Sequence, residues 1–205
     1  LAQLPAAVRR SRYDRSAVTP GIVHLGVGAF HRAHQAVVMD DLLATGPSDW
    51  GIVGASLRNP DTRDALVPQD CLYTMAVRSG AGTEHRIIGS LLGMEVAAEN
   101  PERLVARMAD PATRIVSLTV TEKGYCHTPQ TGELDERHPD IVHDLNHPNA
   151  PRSAPGFLVE ALARGHGRVD RQERDELADE ACVVGLALTL GVGRFRAACA
   201  GAAEG

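Results

Sequence analysis

Two glycines separated by one residue, Gly26-Val27-Gly28, follow the short apolar run Ile22-Val23-His24-Leu25. Glycines at such a turn let the chain bend tightly and let backbone N–H groups approach a pyrophosphate. A helix beginning just beyond adds the positive end of its dipole. The pattern predicts a dinucleotide site built from Ile22, Gly26, Val27, Gly28, Ala29, Phe30 and His31. The third glycine of the usual GxGxxG pattern would fall at His31, so an unrelated glycine-rich turn is the competing reading.

A dinucleotide also needs an acidic group at the tip of the next strand, where it holds the ribose hydroxyls. Asp61 stands there, after Leu57-Arg58-Asn59-Pro60, although it could equally cap the helix that follows. Arg58 at the same tip would instead meet a 2′-phosphate. NAD is therefore the expected cofactor and NADP the alternative. Thr121, Glu122 and Lys123 end a third apolar run, the place where open α/β sheets bind ligands. Glu122 could exchange protons or bond hydroxyls there; its plainer role is a surface ion pair. His127, His138, His143 and His147 follow at spacings that fit no tight ligand set, so no metal site is expected.

The elements that would position these groups follow from periodicity. Residues 21–25, 50–57 and 115–120 are apolar runs bounded by turn residues and predict buried strands. Ala33, Val37, Val38 and Leu42 mark one face of a helix over 30–43. Strand, glycine turn, helix and strand make one βαβ unit. Residues 73–77 and 84–88 flank Ser79-Gly80-Ala81-Gly82 and predict a hairpin. Asn100 and Pro101 read as the cap and first position of a helix over 101–108. Residues 121–155, broken by Pro129, Pro139, Pro148, Pro151 and Pro155, predict a long polar loop, with a helix resuming at 156–164. The expected fold is α/β: a doubly wound, mainly parallel sheet with an inserted hairpin.

Composition narrows the partners. The 205 residues carry 21 Lys+Arg against 26 Asp+Glu, a formal charge of −5, and only 3% aromatics. Neither a basic surface nor a base-stacking platform is implied, so nucleic acid is not an expected partner. No apolar run approaches the ~18 residues of a membrane span. Four cysteines without a CxxC pair read as reduced thiols, and a cytoplasmic location is expected.

The stretch I-V-H-L-G-V-G-A-F-H-R-A-H-Q at 22–35 and T-E-K-G-Y at 121–125 resemble the mannitol dehydrogenase family of polyol-specific long-chain dehydrogenases, which includes fructuronate reductases. The resemblance spans roughly residues 20–164. It implies a Rossmann domain followed by a helical domain, and hydride transfer between a nicotinamide and a secondary alcohol of a polyol or hexuronate. Carried over by position are Gly26, Gly28 and Phe30 at the pyrophosphate turn, Asp61 at the ribose and Glu122 near the active-site mouth. Lys123 leans toward the hexuronate branch. After Arg164 nothing resembles the family: its Ser-Cys-Asp-Asn-Leu-Pro motif and its catalytic Lys, Asn and His have no counterpart, and Lys123 is the only lysine in these 205 residues.

Residues 1–164 are therefore expected to form the dinucleotide-binding domain and 165–205 a divergent tail. The abrupt switch to R-V-D-R-Q-E-R-D-E-L-A-D-E at 168–180 suggests a frameshift. Possible codons for 169–179, read one base later, can spell a stretch ending Asn-Leu-Pro. The sequence of the encoding DNA tests this: no family-like downstream frame would exclude it. On this reading the chain is a truncated, catalytically impaired oxidoreductase. A non-catalytic dinucleotide-binding module is the alternative. Its oligomeric state is not legible.

Overall fold

The structure, a computed structural model, describes residues 4–119, 122–128 and 130–166. Along them run strands β1 (Val8–Arg9), β2 (Pro20–Leu25), β3 (Gly51–Ser56), β4 (Tyr73–Ser79), β5 (Gly82–Ile88), β6 (Leu91–Val96) and β7 (Ile115–Leu118). The helices are α1 (Ala29–Ala33), α2 (Gln35–Leu43), α3 (Asp61–Leu66), α4 (Pro101–Met108), α5 (Pro139–Asn146) and α6 (Ala154–His166). The residues proposed as a divergent or frameshifted tail lie almost wholly outside this set.

Side chains alternate across β2, and that alternation builds two cores. Val23 and Leu25 face one layer with Leu104, Val105 and Met108 of α4 and Phe157, Leu158 and Ala161 of α6. Ile22 faces the other with Ile52, Leu91, Ala36 of α2 and Leu66 of α3. A sheet buried on both faces between helices is what continuous apolar strands require. The strand order is β6-β3-β2-β7, and every neighbouring pair is parallel. The expected parallel sheet over the three apolar runs is thus observed. The hairpin is also observed: β4 and β5 pair antiparallel from Tyr73↔Ile88 to Ser79↔Gly82. Together with β1, it makes a separate three-stranded sheet.

Buried ion pairing ties that sheet to the main one. Asp40 of α2, 2% exposed, accepts from Tyr13 Oη at 2.6 Å, the Gly89 amide at 2.9 Å and the Arg86 guanidinium at 2.6 Å. Three bonds on one buried carboxylate offset the cost of removing it from water.

Two sequence expectations need correcting, and one strand was not expected. The helix expected over 30–43 is two helices: it breaks at His34 (φ −123°, ψ −81°), whose ring Nδ1 bonds the Phe30 carbonyl at 2.8 Å. The polar segment expected as one long loop contains α5. Pro139 is not a breaker there but occupies the first turn, and the His138 ring caps the helix by accepting from the Asp140 amide. Leu91–Val96 is a further parallel strand. Its Glu95 obscured the apolar pattern, yet Glu95 is only 9% exposed and pairs with Arg107 at 2.8 Å.

Candidate dinucleotide-binding site

From β2 the chain winds outward through β3 to β6, then crosses back to place β7 on the other side of β2. The crevice beyond the carboxyl ends of β2 and β7 is therefore the point where the winding reverses, and open parallel sheets take ligands at that point. Gly26-Val27-Gly28 leaves β2 directly into this crevice. Gly26 has φ +92°, a conformation that strains any residue with a Cβ. Its amide donates to Ala55 O at 2.8 Å, and the Gly28 amide folds back onto Gly26 O at 2.7 Å. At Gly28 an added Cβ would meet only Gly26 O, at 3.9 Å, so the residue presents an open, exposed surface. Gly28 is also the N-cap of α1, and no side chain caps that end. A tight turn, open space and uncapped amides fit a pyrophosphate.

A buried polar layer lies beneath the turn. The rings of His24 and His31, each 0% exposed, stack with centroids 3.8 Å apart. His24 Nδ1 is 2.8 Å from Ser117 Oγ, and Nε2 is 2.9 Å from Thr119 Oγ1. Thr119 Oγ1 donates onward to the Gly26 carbonyl at 2.9 Å, and Gln35 Nε2 donates to Ser117 Oγ at 3.1 Å. Neither ring nitrogen of His31 has a hydrogen-bond partner among the described residues. Burial pushes His24 down to about 4, opposed by the nearby Gly26 carbonyl. It pushes His31 down to about 3, helped by the neighbouring His24 and the Arg32 charge.

The candidates from the sequence divide accordingly. Gly28, Ala29 and Phe30 are exposed at the crevice, Phe30 being 66% exposed and stacked on the His34 ring at 4.3 Å. Ile22, Val27 and His31 are buried as whole residues, and Ile22 lies inside β2, paired with Ile52 on one side and Ile115 on the other, so these three underlie the turn and do not line the crevice. At the β3 tip, Arg58 is ion-paired with Asp140 of α5. Asp61 is the first residue of α3 and not its cap; Pro60 holds the cap position. Asn59 shapes this turn: its Oδ1 accepts from the Asp61 amide at 2.8 Å and its Nδ2 donates to Asp61 Oδ2 at 2.9 Å. A cavity of about 310 Å³ opens beside this tip, between Leu57, Arg58, Ala97, Asp140, His143 and Phe157. Glu122 begins a 3-10 turn, Glu122–Tyr125, and Thr121 lies outside the described residues. No group of three or more His, Cys, Asp or Glu placed to hold a metal occurs among the described residues.

Sequence reasoning missed Ser117, Thr119 and Gln35. One signal was present: a histidine inside an otherwise apolar buried strand must find partners on the neighbouring strand.

A doubly wound parallel sheet with a glycine turn at its switch point defines a Rossmann-type nucleotide-binding domain. The chain matches the mannitol dehydrogenase Rossmann domain over residues 20–172, eight residues past Arg164, and it belongs to the mannitol dehydrogenase family. It is 50% identical over 160 residues to a mannitol 2-dehydrogenase of Cereibacter sphaeroides, covering 76% of this chain and 33% of that one. It is 45% identical over 168 residues to one of Pyricularia oryzae, covering 80% and 34%. Among solved structures, the ternary complex of Pseudomonas fluorescens mannitol 2-dehydrogenase with NAD and D-mannitol superposes with a TM-score of 0.77. It is 42% identical, covering 82% of this chain and 35% of that one. The chain thus spans about a third of the length of these relatives. No helix among the described residues is long and apolar enough to cross a membrane.

Proposed function

We propose that this chain binds NAD in the β2/β7 crevice, as the dinucleotide-binding part of an oxidoreductase that acts on a secondary alcohol of a sugar alcohol. The observation that carries the reading is the Gly26–Gly28 turn, open at Gly28 and set at the switch point of the sheet. The Pseudomonas fluorescens relative, solved with NAD and D-mannitol, supports both cofactor and substrate class. The pyrophosphate lies on the turn at Gly26, Val27, Gly28 and Ala29, with Phe30 beside it and the buried Ile22 and His31 supporting the turn from beneath. The adenosine end extends toward the β3 tip and the adjoining cavity, where Asp61 takes a ribose hydroxyl. Asp61 at this tip suits a free ribose hydroxyl and the Pseudomonas fluorescens relative is solved with NAD, so NAD is preferred over NADP. By their position after β7 in the sequence, Thr121 and Glu122 are assigned to the nicotinamide end. When bound, NAD supplies the acceptor for a hydride. A hexuronate is the alternative substrate, and a cytoplasmic location completes the reading.

Hydride transfer also needs a group that takes the hydroxyl proton and donors that hold the developing oxyanion. In the relatives the resemblance assigns these to a Lys, Asn and His, and the 205 residues hold no lysine except Lys123. That observation favours a second reading, in which these 205 residues bind the dinucleotide without catalysis. Calorimetric titration of the chain with NAD and NADP, together with an NADH assay on mannitol, tests both readings. Absence of NAD binding would overturn both, and turnover would exclude the second.

A further inference from the structure

With the Thr119 hydroxyl donating to the Gly26 carbonyl, the contacts around His24 fall into one directional order, in which the Ser117 hydroxyl donates to His24 at 2.8 Å in preference to Gln35 Oε1 at 3.4 Å. The Gly26 carbonyl can only accept, so the Thr119 hydroxyl, 2.9 Å away, spends its single proton there. Thr119 Oγ1 must then accept at its 2.9 Å contact with His24, which places a proton on His24 Nε2. His24 is buried and neutral, so its Nδ1 carries the lone pair and accepts from Ser117 Oγ at 2.8 Å. Ser117 in turn accepts from the Gln35 amide at 3.1 Å. The result is one directional relay from α2 through β7 and β2 into the glycine turn.

The relay ends on a functional atom. Gly26 O receives two bonds, from Thr119 Oγ1 at 2.9 Å and from the Gly28 amide at 2.7 Å, which hold that carbonyl from two sides. Across a trans peptide, the C=O and the next N–H point in opposite directions, and the described chain has no cis peptide bonds. Fixing the Gly26 carbonyl therefore fixes the direction of the Val27 N–H. A glycine at φ +92° has wide conformational freedom, so it is the place where such a restraint has most effect.

We propose that Thr119, oriented by His24 in its Nε2–H form, is a positioning residue that presets the Gly26–Val27 peptide for the pyrophosphate. This rests on the reading of the turn as the NAD site. Thr119 acts through the Gly26 carbonyl and needs no contact of its own with the cofactor. Threonine suits the task because a hydroxyl donates and accepts at once, while valine of the same shape does neither.

Two measurements on the full 205-residue chain test it. In the ligand-free protein, long-range ¹H–¹⁵N correlation of the imidazoles at pH 7 is expected to show His24 protonated on Nε2 only; a proton on Nδ1 would overturn the relay. Titration with NAD is then compared across variants. Thr119→Val is expected to raise the NAD Kd about 3- to 10-fold, the scale of one lost hydrogen bond, and Thr119→Ser to restore it. Wild-type affinity in a folded Thr119→Val would overturn the inference while leaving the NAD site intact. Wild-type protein that binds no NAD would instead overturn the site itself.

Discussion

At the scale of single residues, the stacked histidines carry the clearest consequence. His24 and His31 are both fully buried, with pKa values lowered to about 4 and about 3, while in the unfolded chain each titrates near 6.5. The unfolded chain therefore binds more protons below pH 6.5, so the neutral-histidine contribution is complete above that pH. It is lost as pH falls from 6.5 through about 4 toward 3. At pH 5 the loss is about 2 kcal/mol per histidine. Urea unfolding at pH 7 and pH 5 checks this, and His31→Leu is expected to flatten the pH dependence. An unchanged slope in that variant would place the acid sensitivity elsewhere. Residue roles were only partly legible in the sequence. Gly26 and Gly28 stood out as a pair: the φ of +92° at Gly26 strains any other residue, and a side chain at Gly28 would occupy the space open for a pyrophosphate. Thr119 did not, because its task depends on Gly26, 93 residues away. Asp61 read equally well as ribose ligand or helix cap because the local turn, set by Asn59, decides which of its groups is engaged.

At the scale of elements, the start of α6 shows how the segment after β7 is anchored. Asp144 of α5, 1% exposed, accepts from the Arg152 amide at 2.8 Å, the Ser153 amide at 2.9 Å and Ser153 Oγ at 2.6 Å. Ser153 Oγ then accepts from the Gly156 amide at 3.0 Å, capping α6. A Cβ on Gly156 would fall 2.1 Å from Asp144 Oδ2. In a free helix Gly→Ala stabilises by about 1 kcal/mol. Here the sign reverses: Gly156→Ala is expected to cost about 1–3 kcal/mol, read from its urea midpoint, because the carboxylate must move. A stabilised Gly156→Ala would refute the clamp. Periodicity revealed β2, β3, β7 and the hairpin because each is a clean apolar or alternating run. It missed β6 and α5 because Glu95 and Pro139 are residues usually read as exposed or helix-breaking. Glu95 is neutralised by Arg107, and Pro139 sits in a first turn, where its missing N–H costs nothing.

For the whole molecule, the parallel sheet wound both ways from β2 follows from apolar strands that need cover on both faces, so the fold class was legible early. The crevice was not, because strand order is set by which chain segments cross the sheet, and composition does not record that. The 205-residue chain is expected to give no NADH with mannitol, arabinitol or sorbitol, and no NADH oxidation with fructose or fructuronate. Turnover above that of a Gly28-substituted control on any of them would show that a base within these residues, with Glu122 and Lys123 the first to test, serves the reaction. The central claim is the NAD site itself, and calorimetric titration of wild-type chain and Gly28→Val with NAD tests it most directly. The account predicts saturable one-to-one binding by the wild type and at least a tenfold weaker affinity in the variant, whose side chain would fill the open face of the turn. Equal affinities, or no heat from the folded wild type, would contradict it.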